Sequence, residues 1–205
     1  MSKDFLSKTN IMTFEEIKSE LKNYTIGIAG AGGLGSNCAV ALARVGIRKL
    51  IICDFDVVSE SNLNRQYFFR DQIGEKKVIA LKENIQRIDP EVDIITEDIK
   101  LNENNIVDIY KDCDIIVEAF DLAEMKQMLI ETCLTKLPEK PIVLGLGMAG
   151  FGNSNSIQFR QSENLYICGD EKSEIADNNP PLAPRVGIVA NMQANTVLEI
   201  LLGKK

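Results

Sequence analysis

The chain has 205 residues, 45% hydrophobic and 26% charged, with a formal net charge of −7 and no histidine. That length and composition suit one globular unit with an ordinary core. The acidic balance offers no electrostatic footprint for nonspecific nucleic-acid binding, so no nucleic-acid partner is expected. The lack of imidazole excludes Ser-His-Asp and Cys-His catalysis and leaves the chemistry to Asp, Glu, Lys, Arg, Cys and backbone groups.

The polar start MSKDFLSKTN carries no signal-peptide apolar run, and no segment reaches about 18 uncharged apolar residues. The expectation is a cytoplasmic protein without a membrane partner. The five cysteines, Cys38, Cys53, Cys113, Cys133 and Cys168, are odd in number and widely spaced. They form no Cys-x-x-Cys pair and read as buried free thiols in a reducing compartment.

In chain order, Thr13 to Leu21 predicts a helix, with Thr13 as cap, Glu16 three residues on, and Phe14, Ile17 and Leu21 on one face. Tyr24 to Gly30 predicts a buried strand ending in glycine. An Ala-rich helix follows over Ser36 to Val45, then a second strand over Lys49 to Cys53 closed by Asp54-Phe55-Asp56. Glu75 to Ile88 predicts a helix stopped by Asp89-Pro90. Val92 to Ile99 is a third strand, Asn104 to Tyr110 a short helix, and Cys113 to Phe120 a fourth strand. Ala123 to Thr135 is helical and Pro141 to Leu146 a fifth strand. The later part changes character. Ser156 to Arg160 and Asn164 to Ile167 predict a hairpin, the polar Gly169 to Pro184 a mobile surface loop, and Val186 to Leu202 a closing helix.

Strands alternating with helices predict an α/β fold: a Rossmann-like, doubly wound, mostly parallel sheet with a C-terminal antiparallel hairpin, crossover loop and closing helix. One domain over 1–205 is expected, divided into an N-terminal helical extension (1–23), a nucleotide-binding core (24–150) and the hairpin, loop and helix (151–205).

The turn Gly30-Ala-Gly32-Gly33-Leu-Gly35 lies between a strand and a helix, the context that gives Gly-x-Gly-x-x-Gly its meaning. One glycine permits the tight turn, one lets backbone approach a phosphate, and one lets helix and sheet pack closely. The helix N-terminus adds free N–H groups and positive potential. Asp54 follows nineteen residues beyond Gly35, at the end of the second strand, where a carboxylate accepts hydrogen bonds from ribose hydroxyls. Alone, these features indicate an adenine nucleotide, with NAD the leading choice. The next segment moves the choice to ATP: instead of entering a helix it carries Asn62, Arg65 and Gln66, donors suited to a polyphosphate.

GAGGLGSN, DFDVVSESNLNRQ, the GEKK beginning at Gly74, and the late LAPRVGIVANMQA resemble the ThiF/MoeB/HesA family, which includes the catalytic domains of ubiquitin-activating enzymes. The resemblance runs from about Tyr24 to the end. The chain's shortness, with EAFDLAEMK and LYICGD, looks most like the compact, divergent ThiF branch linked to thiamine biosynthesis.

The resemblance implies ATP-dependent adenylylation of the C-terminal glycine carboxylate of a small ubiquitin-like, ThiS-like sulfur carrier with a Gly-Gly tail. Pyrophosphate would leave and a homodimer would be the working assembly. It implies that Gly33 meets the nucleotide, Asp54 holds the ribose, Asn62 and Arg65 contact phosphate, Lys77 pairs with the phosphates, and Asp121 binds Mg²⁺. Residue by residue, Arg65 also reads as a surface ion pair, Lys77 as a solvated helix face with Lys76 competing for its register, and Asp121 as a helix cap.

Three departures stand out. Only Cys168 occupies the region of the family's first zinc pair, so no zinc is expected. The crossover loop lacks the cysteine of many members, leaving Cys168 as the candidate thiol. No arginine precedes Arg44 to serve a neighbouring subunit, and Lys3, Lys8, Lys18 or Lys22 would have to replace it. Competing readings are a molybdopterin-pathway carrier enzyme, an NAD-dependent oxidoreductase, and a non-catalytic nucleotide-binding scaffold.

Overall fold

The computed structural model describes residues 12–203. The first eleven residues of the expected N-terminal extension, with Lys3 and Lys8, lie outside them.

The extension's helix α1 (Phe14–Leu21) starts with the expected capping box, Thr13 and Glu16 exchanging hydrogen bonds. Its apolar face is only partly used: Leu21 is fully buried and Phe14 remains exposed.

The core strands are β1 (Thr25–Ala29), β2 (Lys49–Cys53), β3 (Asp93–Glu97), β4 (Ile115–Glu118), β5 (Ile142–Gly145), β6 (Gln158–Ser162) and β7 (Leu165–Gly169). They form one sheet in the order β3-β2-β1-β4-β5-β7-β6. Every neighbouring pair is parallel except β6–β7. The Rossmann-like class is therefore observed. The hairpin belongs to the main sheet: β7 pairs with β5, Ile142 opposite Leu165 through Gly145 opposite Cys168. The hairpin sits further along than the sequence suggested because Ser154–Ser156 forms a 3₁₀ turn before it.

Side chains alternate across the strands as the pleat requires. Ile26, Ile28, Leu50, Ile52, Ile115, Val117 and Val143 face α1, α2 (Gly33–Val45), α3 (Lys77–Gln86) and α6 (Ala183–Leu202). Ile51, Cys53, Ile116, Ile142 and Leu144 face α4 (Ile106–Tyr110) and α5 (Ala123–Lys136). The strand order reverses between β1 and β4. The crevice at their C-terminal ends is where open α/β sheets bind ligands, and both the glycine turn and Asp121 fall there.

Several helix boundaries differ from the periodicity by one to three residues. Helix α2 begins at Gly33, three residues early, because glycine's low helix propensity hides a turn that tertiary packing enforces. Helix α3 starts at Lys77, not Glu75. Helix α6 starts at Ala183, with Pro184 tolerated in its first turn. No helix among the described residues is long and apolar enough to cross a membrane.

Candidate nucleotide site

The glycine turn is shaped by contacts that leave no room for side chains. Gly30 has φ +102° and donates its N–H to Cys53 O at 2.9 Å. A Cβ on Gly35 would collide with the Gly30 carbonyl, so this glycine serves packing. Gly32 caps α2 without a side-chain hydrogen bond, which leaves first-turn N–H groups for a ligand. Gly30, Gly32 and Gly33 line a cleft of about 320 Å³, and Gly35 lies behind it.

Asp54 accepts the Ala31 N–H at 2.7 Å through one oxygen and the Asp56 N–H at 2.8 Å through the other. It therefore braces the turn and keeps lone pairs facing the cleft. Burial pushes its carboxyl above the usual range, with the Lys77 charge and these two N–H groups opposing.

The register of the two lysines is resolved. Lys76 pairs with Asp98 at the surface, with 46% of its side chain exposed. The Lys77 side chain is 7% exposed, reaches Asp56 at 2.7 Å, and lines the cleft. Its solvated-face reading falls away.

Arg65 also lines the cleft and has no carboxylate within ion-pair distance among the described residues. Its guanidinium donates only to Ser61 O and Asn64 Oδ1. Burial lowers its pKa, and the Asp121 charge works the other way. Asp121 is exposed at the cleft wall and does not cap α5, whose N-cap is Leu122. Gln66 is buried on the same wall, and its Oε1 has no hydrogen-bond partner. Cys53, Phe55, Ile99, Leu101, Phe120 and Met125 give the cleft an apolar side opposite this polar end.

Two expected site residues stand elsewhere. Asn62 is off the cleft wall: its Oδ1 accepts the Ser59 N–H at 3.0 Å and closes a 3₁₀ turn, so its amide shapes the segment that carries Arg65. Cys168 is fully buried in β7, 3.5 Å from Thr196 Oγ1, and burial pushes its thiol up to about 11. It is a core side chain, and burial of that kind disfavours the reactive thiolate.

Three features escaped sequence reasoning. Asn37 Nδ2 bridges Gly33 O at 2.7 Å and Arg65 O at 2.9 Å, tying the glycine turn to the Arg65 segment. Glu118, fully buried at the end of β4, binds Lys126 at 2.9 Å, and Lys126 also reaches Gly145 O at 3.0 Å. The signal for that pair was a carboxylate inside an apolar strand. The third, an ion pair of Arg185 with Asp170, joins residues on either side of the polar loop.

A braced glycine turn, an apolar slot, an unpaired Arg65 and a buried Lys77 make a cleft suited to an anionic nucleotide in a Rossmann-like fold. The chain belongs to the ThiF family, whose model matches residues 7–205.

It is similar to the adenylyltransferase and sulfurtransferase UBA4 of Scheffersomyces stipitis, 30% identical over 199 residues, covering 93% of this chain and 44% of that protein. It is also similar to the molybdopterin-synthase adenylyltransferase of Salmonella typhimurium, 26% identical over 191 residues, covering 91% of this chain and 76% of the relative. The chain spans less than half the length of the UBA4 relative. Among solved structures, E. coli tRNA N6-threonylcarbamoyladenosine dehydratase TcdA in complex with ATP superposes with a TM-score of 0.83 at 21% identity, covering 93% of this chain and 90% of that one. At that identity the likeness establishes the fold.

Proposed function

We propose that the protein is an ATP-dependent adenylyltransferase acting on the C-terminal carboxylate of a ubiquitin-like sulfur carrier. The observation that carries this reading is the polar end of the cleft. Arg65 has no carboxylate partner among the described residues, and Lys77 is held by a single half-exposed one, Asp56. An unpaired cation beside one with a single half-exposed partner, in a half-buried site, suits a polyanion. The names of the adenylyltransferase relatives point the same way.

The carboxylate oxygen attacks the α-phosphorus of ATP and forms a C–O–P anhydride, while the bond to the β-phosphate oxygen breaks and pyrophosphate leaves. Gly32 and Gly33 admit the phosphates to the N-terminus of α2. Asp54 accepts from the ribose, and the apolar slot takes the base. Lys77 exchanges its contact with Asp56 for phosphate, and Arg65 steadies the charge that develops on the departing oxygens. Asp121 has no hydrogen bond or ion pair among the described residues. As a lone carboxylate beside the phosphate end, it fits Mg²⁺, which binds through one or two carboxylates plus substrate phosphates. When bound, the ion would neutralise phosphate charge.

The carrier we favour is ThiS-like, with a Gly-Gly tail, in thiazole formation for thiamine. The support is the resemblance to the compact ThiF branch, while the named relatives leave a molybdopterin-type carrier as the alternative. A homodimer and a cytoplasmic setting belong to the same reading.

The test is ATP–pyrophosphate exchange dependent on carrier and Mg²⁺. Exchange should require the intact glycine tail and fall about 100-fold or more in Arg65→Ala and in Asp121→Ala. ATP binding without exchange for either carrier would leave the scaffold reading, and NAD binding in its place the oxidoreductase.

A further inference from the structure

Arg185 lies in the first turn of α6, where the helix dipole disfavours a cation, and its side chain is only 5% exposed. It does not line the nucleotide cleft. Its fork joins segments far apart in sequence: Nη1 donates to Gly152 O at 2.6 Å, and Nη2 to Asp170 Oδ2 at 2.5 Å and Ser156 Oγ at 3.3 Å. Asp170, 7% exposed, also accepts from the Lys172 N–H at 2.9 Å, the Ser173 N–H at 2.8 Å and the Ser173 hydroxyl. Gly147, at φ +78°, passes so close that a Cβ there would strike the Asp170 carboxylate. A buried ion pair adds little net stability over apolar packing. What this one supplies is a fixed position for the segment after β7.

That segment, Glu171–Ile175, is one wall of a second cavity of about 390 Å³. Gly145 to Met148 also line it, as do Asp121 and Lys126. The cavity shares Asp121, Met148 and Ile175 with the nucleotide cleft, so the two adjoin at these residues. An extended substrate tail that enters here arrives beside Asp121.

We propose that Arg185 and Asp170 are positioning residues for the acceptor. They hold Glu171–Ile175 as the wall of the passage through which the carboxylate-bearing tail reaches the nucleotide, and they leave nucleotide binding to the other cleft. This inference rests on the adenylylation reading and adds the residues that govern acceptor affinity.

The test compares the wild-type full chain with Arg185→Met/Asp170→Asn, which removes both charges together, and with Arg185→Lys, which keeps the charge and loses the fork. The exchange assay should show the KM for carrier raised about tenfold in the double variant, with the KM for ATP and kcat within about threefold. Tryptic cleavage after Lys172 should accelerate in both variants at temperatures where circular dichroism shows them folded. Arg185→Lys carries the test if the double variant does not fold. Wild-type exchange with an unchanged carrier KM in the variants overturns this inference alone, as does a parallel rise in the KM for ATP. A wild-type protein with no carrier-dependent exchange overturns the adenylylation reading and this inference with it.

Discussion

At the β1–β4 crevice the charged groups are braced from behind and open in front, whereas behind the loop after β7 they satisfy one another. Asp54 is fixed by two backbone N–H groups, Lys77 by the half-exposed Asp56, and Arg65 by no carboxylate among the described residues. Around Asp170 both carboxylate oxygens are engaged and Arg185 donates to four partners, with its Nε alone left without one among the described residues. The two regions have similar residue types, although the Arg185–Asp170 pair is the more shielded. What separates ligand machinery from architecture is whether the hydrogen-bonding capacity is spent inside the protein.

The sharpest break of that comparison is between adjacent lysines. Lys77→Ala should lower carrier-dependent exchange by about 100-fold, and Lys76→Ala should leave it within about twofold, because only Lys77 points into the cleft. Equal losses would mean that charge near the site matters and geometry does not.

In the closed region, Asp170→Asn should cost about 3 kcal/mol at neutral pH, since it leaves the Arg185 charge buried without a partner. Burial works against the Asp170 carboxylate, but hydrogen bonds from Ser173 and Lys172 and the Arg185 charge outweigh it and hold the pKa below the usual value. A depressed acid stabilises above its unfolded pKa and loses that contribution as pH falls through the folded value. The stability gap between wild type and variant, measured by urea unfolding, should be full above about pH 4 and shrink below it. A gap that does not shrink below pH 4 would remove the ion pair from the account.

A smaller effect is expected at Asn62. Asn62→Ala should cost about 1 kcal/mol through its cap and change exchange by less than about threefold. A loss as large as that of Arg65→Ala would return Asn62 to the phosphate site.

The smallest effect concerns the thiols. All five cysteines are buried, and burial pushes Cys168 and Cys133 to about 11 and Cys53 and Cys113 to about 12. Thiol titration at pH 8 should find almost none reactive in the folded protein and all five after denaturation. One rapidly modified cysteine in the native state would reopen the covalent sulfur role.

The strands were legible because alternating burial writes itself into apolar runs: Lys49 to Cys53 was placed to the residue, and β4 and β5 within two residues at each end. The glycine turn was legible because a backbone that passes within contact distance of another tolerates no other residue type. Asn62 is found closing a turn where a phosphate contact was expected, because an amide beside an arginine in a polar run looks the same in sequence in either role. Cys168 was offered as a thiol on position alone, and only the packing of β7 against α6 shows it to be core.

Local sequence therefore determined the α/β class, the glycine turn, Asp54 at the strand end and membership of a recognisable family, since each depends on residues within a few positions of one another. Tertiary structure alone decided which lysine enters the cleft, that Arg65 has no acidic partner among the described residues, that Glu118 finds Lys126, and that Arg185 reaches Asp170 across fifteen positions. The physical reason is that the effect of a charge depends on its desolvation and its partners, and both are set by chain segments that meet only when the sheet assembles.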